Sequence, residues 1–129
     1  MKIRNLCVID DDKIYHFLLK NLLKQNNIDV KSVFFQNGQD AIEFLSDEKN
    51  NDDLPDLILL DVNMPIMNGW QFLEEYIKLK TNFGKDPHIY MISSSNNEVD
   101  INKAREFSGV VKDYFLKPIC KEDLHKIFI

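Results

Sequence analysis

Five short apolar runs, rich in β-branched and aromatic residues, recur along this chain and constrain its fold more than any other feature. They cover residues 3–9, 30–35, 57–60, 89–92 and 110–116. Each run is almost continuously apolar and does not alternate with polar residues, as expected for a strand that is covered on both faces. The runs therefore predict five strands of a parallel sheet.

Segments with helical periodicity lie between the apolar runs. In the first segment, apolar residues recur at the i, i+3, i+4 and i+8 spacing of one helix face, which we expect to be buried. These residues are Ile14, Phe17, Leu18 and Leu22. Comparable spacing follows each later run, and Gly109 stands where the fourth helix is expected to stop. Five strands that alternate with five helices predict right-handed βαβ crossovers and a doubly wound α/β sandwich of three layers.

The length of the chain bounds its organisation. Its 129 residues suit one domain with a single core. We expect one domain over residues 1–129, with its core at about 3–128 and no output domain. Uninterrupted apolar runs reach only four residues, whereas a membrane-spanning helix needs roughly 20. No export signal follows Met1. We therefore expect a cytoplasmic protein with no membrane-inserted segment.

Charge, cysteine and histidine content narrow the classes of function. The formal net charge is −5, from 16 Lys and Arg against 21 Asp and Glu, and the basic residues are scattered. Because nucleic acid requires a basic stripe, we expect no direct nucleic-acid binding. Cys7 and Cys120 lack C-x-x-C or Cys/His spacing, which favours reduced packing cysteines over a metal or redox site. His16, His88 and His125 lack a second ligand at metal spacing, and we expect them at the surface or at element boundaries.

Acidic, hydroxyl and basic residues directly follow four of the predicted strands. They are Asp10, Asp11, Asp12, Asp61, Ser93 and Lys117. In a doubly wound sheet, ligands bind beyond the carboxyl ends of the strands, so we expect these side chains to converge. Converging carboxylates repel one another and require a compensating cation. Because only oxygen ligands are available, the pattern favours Mg²⁺ over zinc or copper.

Independent helix caps are the alternative interpretation of these aspartates, because Asp caps helices well. A cap explains Asp12, which directly precedes the first helical segment. It does not explain Asp61, because residues 62–65 separate it from the expected helix start near Asn68 and Gly69. The sequence therefore favours a shared carboxylate and metal site.

Four motifs stand in order at the ends of predicted strands. They are VIDD at residues 8–11, LLDVNMP at 59–65 with Gly69 following, MISS at 91–94 and YFLKP at 114–118. Together they resemble the receiver domains of two-component response regulators, particularly the single-domain chemotaxis type, over nearly the whole chain. This resemblance implies a flavodoxin-like (βα)5 sandwich with a five-stranded parallel sheet in the order 2-1-3-4-5.

The resemblance also implies a chemistry for the strand-end residues. Asp61 would be the phosphoacceptor and would take a phosphoryl group from a histidine kinase, a histidine phosphotransfer protein or a small acyl phosphate. Asp11, Asp61 and the backbone carbonyl of Asn63 would ligate Mg²⁺, or Mn²⁺ in its place, with Asp10 reaching the metal mainly through water. Lys117 would pair with a phosphoryl oxygen.

Further residues would transmit the signal or set its duration. By resemblance, Ser93 would be the switch hydroxyl that binds the phosphoryl group, and Tyr114 would then turn inward. Asn63 and Ser95 occupy positions that tune the lifetime of the acyl phosphate in this family, and we expect an intermediate to long lifetime. The bond between Lys117 and Pro118 would correspond to the cis peptide of the family.

The expected function is a response regulator of a two-component phosphorelay. It would be a signalling domain that catalyses its own phosphorylation and dephosphorylation, not an enzyme, and it would switch binding to a downstream protein in trans. We expect a monomer or a weak phosphorylation-dependent dimer. Two alternatives are a constitutive, phosphorylation-independent binding module and an aspartyl-phosphate phosphohydrolase. Asn63 weighs against the hydrolase, which commonly has a carboxylate at that position as general acid.

Overall fold

Strands and helices alternate along residues 3–79, 86–94 and 97–128, which are the residues described by the computed structural model. The strands are β1 (Asn5–Ile9), β2 (Lys31–Phe35), β3 (Leu57–Leu60), β4 (His88–Ser93) and β5 (Val111–Leu116). The helices are α1 (Lys13–Gln25), α2 (Gly38–Ser46), α3 (Gly69–Leu79), α4 (Glu98–Glu106) and α5 (Lys121–Phe128), and a 3₁₀ helix covers Glu48–Asp53. Each predicted apolar run becomes a strand whose ends differ from the prediction by at most two residues.

The five strands form one parallel sheet in the order β2-β1-β3-β4-β5, as the resemblance implied. In the centre of the sheet, Val8 of β1 lies between Phe34 of β2 and Leu59 of β3. All four residues of β3 are at most 2% exposed. The near-continuous apolar runs are therefore explained by a sheet that is covered on both faces.

Alternate strand residues point into two separate apolar layers. Cys7 and Ile58 face the layer formed with α2, α3 and α4. Leu6 and Leu59 face the other layer, which is formed with α1 and α5. This division confirms the predicted three-layer sandwich.

Helix α1 buries a different face from the predicted one. Ile14, Phe17 and Leu18 are 72%, 63% and 55% exposed, so the expectation that they line the core is wrong. The buried residues of α1 are Tyr15, His16, Leu19 and Leu23. Apolar residues stand on more than one side of this helix, and spacing alone could not decide which side meets the sheet. Packing against the sheet layer that contains Leu6 and Leu59 selects the side with Leu19.

Three smaller expectations also need correction. His16 is 9% exposed, with its ring 4.9 Å from that of Phe34, and is not a surface residue. Cys7 is buried as expected, whereas Cys120 is exposed and does not pack. Helix α4 ends at Glu106, three residues before Gly109, which has no left-handed backbone conformation. Among the described helices, none combines the length and the apolar character that crossing a bilayer requires.

Paired substitutions in α1 test which face of the helix is buried. We expect Leu19→Ala to lower the free energy of unfolding by about 3 kcal/mol, because it empties a site that is 1% exposed. Leu18→Ala, one residue away and 55% exposed, should change it by less than about 0.5 kcal/mol. Urea unfolding followed by circular dichroism measures both. Equal losses in the two variants would contradict the assignment.

Candidate functional site

Three charged residues and one serine stand at the carboxyl ends of neighbouring strands. Asp10 follows β1, Asp61 follows β3, Ser93 ends β4 and Lys117 follows β5. Backbone hydrogen bonds continue the sheet to these positions, because the Asp61 N–H donates to the Ile9 carbonyl at 2.9 Å and the Lys117 N–H donates to the Ser93 carbonyl at 2.9 Å. The parallel sheet thus brings residues that are far apart in sequence to one edge.

The carboxylates of Asp10, Asp11 and Asp61 form an acidic cluster. Each contributes one oxygen, and these oxygens all lie within 4.8 Å of one another. Asp10 is 2% and Asp61 is 6% exposed, whereas Asp11 is exposed to solvent. Three carboxylate oxygens at this spacing fit a hard divalent cation, because such cations prefer oxygen ligands and offset the mutual repulsion.

Lys117 supplies the positive charge within the cluster. Its Nζ atom lies 2.6 Å from Oδ2 of Asp10 and 3.7 Å from Oδ2 of Asp61, and its side chain is 17% exposed. One ammonium group is thus shared unequally between two buried carboxylates. The closer partner is Asp10, so Asp61 has the weaker ion pair.

The second oxygens of the two buried carboxylates accept backbone hydrogen bonds. Oδ1 of Asp10 accepts from the N–H of Asp12 at 3.0 Å, and Oδ1 of Asp61 accepts from the N–H of Val62 at 2.9 Å. Asp12 itself caps α1, as expected. Helix capping therefore accounts for Asp12 alone, while Asp10 and Asp61 belong to the shared cluster.

Burial, and next the charge of Asp10, raise the pKa of Asp61 to about 7, although the Lys117 ammonium group and the Val62 N–H partly oppose this shift. Without a metal, this carboxyl group therefore exchanges its proton near neutral pH. A perturbed carboxyl group at a strand end is typical of functional sites.

The other predicted site residues lie around this cluster. Ser93 is fully buried, Tyr114 is half-buried on β5 beside Met91, and Asn63 is exposed. Ser95 lies outside the described residues. The peptide bond between Lys117 and Pro118 is cis.

One neighbour of the cluster was missed by sequence reasoning. Tyr15, in the first turn of α1, lies with its ring centre 4.5 Å from Nζ of Lys117. Its place five residues after Asp10 is a weak signal, because helical spacing predicts that other residues form the buried face of α1.

The first residue of α3 lies in close contact with the backbone of Asp61. The Gly69 N–H donates to the Val62 carbonyl at 2.8 Å. A Cβ atom at Gly69 would lie 2.4 Å from the Asp61 carbonyl oxygen, closer than van der Waals contact permits. Glycine is required here by this close approach, not by a left-handed backbone conformation.

Comparison with known proteins identifies the family. The model of the response regulator receiver domain matches residues 6–129, and this chain belongs to that family. Response regulator Rcp1 of Synechocystis is 31% identical over 124 residues, covering 95% of this chain and 82% of that protein. Hybrid signal transduction histidine kinase I of Dictyostelium discoideum is 27% identical over 96% of this chain, which spans only 7% of that protein.

Solved structures agree with this assignment. A two-component response regulator from Cytophaga hutchinsonii superposes with a TM-score of 0.87 at 27% identity, covering 99% of this chain and 96% of that one. The Mn²⁺-bound form of Rcp1 superposes with a TM-score of 0.75 at 28% identity, covering 97% of this chain and 88% of that one. The predicted family and fold are therefore confirmed.

The raised pKa of Asp61 gives a pH-dependent stability. Because the folded state holds this proton more tightly than the unfolded state, whose pKa is near 3.8, the free energy of unfolding should fall as pH rises from 4 to 7. Asp61→Asn removes this dependence, and at pH 8 in EDTA it should be more stable than the parent by roughly 2 to 4 kcal/mol. The exposed Asp52→Asn controls for the loss of one negative charge. Identical pH profiles for Asp61→Asn and the parent would contradict the shift.

Two glycine substitutions test the close approach at α3. We expect Gly69→Ala to lower the free energy of unfolding by about 2 kcal/mol, because the new methyl group must displace the Asp61 backbone. Gly109→Ala should be neutral or slightly stabilising, because its new methyl group would meet no atom within 4 Å. Thermal unfolding compares the two. An unchanged unfolding temperature in Gly69→Ala would contradict the close approach of Gly69 to the Asp61 backbone.

Proposed function

We propose that this chain is the phosphoacceptor of a two-component phosphorelay, with Asp61 as the residue that takes the phosphoryl group from a histidine kinase or a histidine phosphotransfer protein. The supporting observation is the cluster of Asp10, Asp11 and Asp61, with oxygens within 4.8 Å of one another, beside the ammonium group of Lys117. Membership of the receiver family gives the cluster its chemical context.

The reaction follows from the position of Asp61. A carboxylate oxygen of Asp61 attacks the phosphorus of a phosphohistidine, and an acyl phosphate forms. The P–N bond breaks with its electron pair staying on nitrogen, and the histidine departs as neutral imidazole because its other ring nitrogen carries a proton. The attack requires ionised Asp61, which a neighbouring positive charge favours. Burial of this carboxylate means that its attacking oxygen has little competing hydration.

The acidic cluster supplies the ligands for a divalent cation, which we propose to be Mg²⁺, with Mn²⁺ as a substitute. Asp11, Asp61 and the backbone carbonyl of Asn63 would hold it directly, and Asp10 mainly through water. Bound there, Mg²⁺ would offset the charge of the incoming phosphoryl group and orient its oxygens.

Lys117 is proposed to pair with a phosphoryl oxygen once Asp61 is modified. Its ammonium group lies 3.7 Å from the Asp61 carboxylate, so a modest movement away from Asp10 would bring it to the new group. Lysine suits this task because its ammonium group is compact and its stem flexible.

Ser93 and Tyr114 are proposed to couple this event to binding. Ser93 is buried at the end of β4, next to Leu116 of β5, so a new hydrogen bond from its hydroxyl to the phosphoryl group would draw the following loop inward. Tyr114, now half-buried, would then turn further inward. The phosphoryl group drives this shift only through the difference in its contacts with the two states. Asn63 and Ser95 are proposed to set the phosphoryl lifetime.

We further propose that the 129 residues act as one receiver unit whose output is altered affinity for another protein, as a monomer or a weak phosphorylation-dependent dimer. A binding module independent of phosphorylation has no physical need for two buried, mutually repelling carboxylates. A phosphohydrolase would need a general acid two residues after Asp61, where exposed Asn63 offers an amide.

Phosphorylation from a small donor tests the proposal. After incubation with acetyl phosphate and Mg²⁺, intact-protein mass spectrometry should show a gain of one phosphoryl group on the parent and none on Asp61→Asn. In EDTA the gain should disappear. Asp11→Asn should require at least about tenfold more Mg²⁺ for half-maximal phosphorylation, because it loses a metal ligand.

The control is Asp52→Asn, an exposed aspartate outside the cluster, which should behave as the parent does. Mg²⁺-independent labelling, or labelling that persists in Asp61→Asn, would refute the assigned chemistry. Failure to label with acetyl phosphate would call for the same comparison with a phosphorylated histidine kinase as donor.

A further inference from the structure

The ring of Tyr15 lies against the ammonium group that serves the acidic cluster. Nζ of Lys117 is 4.5 Å from the centre of this ring, in addition to its contacts with Asp10 and Asp61. Tyr15 is 8% exposed, so the contact lies largely out of water. An ammonium group within about 6 Å of a ring face is attracted by the ring quadrupole, more strongly when it is desolvated.

Two hydrogen bonds through Asp12 fix the position of Tyr15 relative to Asp10. The Asp12 N–H donates to Oδ1 of Asp10 at 3.0 Å, and Oδ1 of Asp12 accepts from the Tyr15 N–H at 3.2 Å. The Nζ atom of Lys117 links the two residues a second time, because it lies over the Tyr15 ring and also contacts Oδ2 of Asp10. The helix cap therefore places the ring relative to the same carboxylate that binds the ammonium group.

The hydroxyl group of Tyr15 does not account for the position of this side chain at the site. It is buried without a hydrogen-bond partner in the part of the chain that the structure describes. A buried hydroxyl without a partner destabilises the folded state. The ring face, and not the hydroxyl, is therefore the part of Tyr15 that serves the site.

We propose that Tyr15 is a positioning residue for phosphoryl transfer, whose ring holds the Lys117 ammonium group between Asp10 and Asp61, within reach of a phosphoryl oxygen on Asp61. This inference rests on the function proposed above and deepens it. An aliphatic side chain would fill the same space in the α1 layer but would have no quadrupole. Lys117 would then occupy the productive position in fewer molecules.

Two substitutions separate the ring from the rest of the side chain. Tyr15→Phe keeps the ring face, whereas Tyr15→Leu keeps only apolar bulk. With acetyl phosphate and saturating Mg²⁺, we expect Tyr15→Leu to be phosphorylated about fivefold more slowly than the parent, within a range of roughly 2- to 30-fold. Tyr15→Phe should restore the rate to within about twofold. Tyr15→Met replaces the leucine variant if that variant does not fold.

A double-mutant cycle distinguishes positioning from packing. Tyr15→Leu and Lys117→Gln are made singly and together, and urea unfolding is measured in EDTA. If the ring and the ammonium group interact, the unfolding equilibrium constant of the double variant should differ from the value expected for two independent substitutions by about 2- to 30-fold. The slower phosphorylation caused by Tyr15→Leu should also be absent when Lys117 is replaced.

The positioning role would be overturned if the effects of the two substitutions on the unfolding equilibrium constant simply multiplied in the double variant. It would also be overturned if the leucine variant were phosphorylated as fast as the phenylalanine variant. Coupling without any change in phosphorylation rate would overturn it as well, because the contact would then be structural only. A parent protein that takes up no phosphoryl group from acetyl phosphate or from a kinase refutes the proposed function instead. The unfolding cycle then decides separately whether the ring holds Lys117.

Discussion

Two buried carboxylates that share one ammonium group are the constraint on which the rest of this structure depends. Lys117 lies 2.6 Å from Asp10 but 3.7 Å from Asp61, so the repulsion between the two acids is only partly offset. Burial, together with the charge of Asp10, raises the pKa of Asp61 to about 7. A bound divalent cation, or protonation of Asp61, would relieve the same repulsion.

Backbone hydrogen bonds of the sheet, and not attractions between the side chains, hold these like charges together. Each charged residue directly follows a strand, and the hydrogen bonds of the sheet continue past the strand ends to Asp61 and Lys117. The close approach of Gly69 to the Asp61 carbonyl, and the Asp12 cap of α1, fix the neighbouring loops. The apolar layers on both faces of the sheet supply the stability that permits an unfavourable cluster at its edge.

Prediction from the sequence succeeded where the environment of a residue depends mainly on the residues next to it in the chain. The apolar runs defined the strands, and the residues after them defined the cluster, because parallel strands end at one edge. It failed for α1, where Leu18 and Leu19 are equally apolar and only contact with the sheet chooses between them. The misassigned face also concealed His16 in the core and the approach of Tyr15 to Lys117.

The sequence by itself determined the class of fold, the family and the identity of the charged residues at the strand ends, because these depend on local patterns of apolar and acidic residues. Only the tertiary structure decided how Lys117 divides its charge, how deeply Asp61 is buried and which aromatic ring meets the ammonium group. Those properties depend on distances between segments far apart in the chain. Electrostatic energies vary steeply with such distances and with burial, and neither can be obtained from spacing along the sequence.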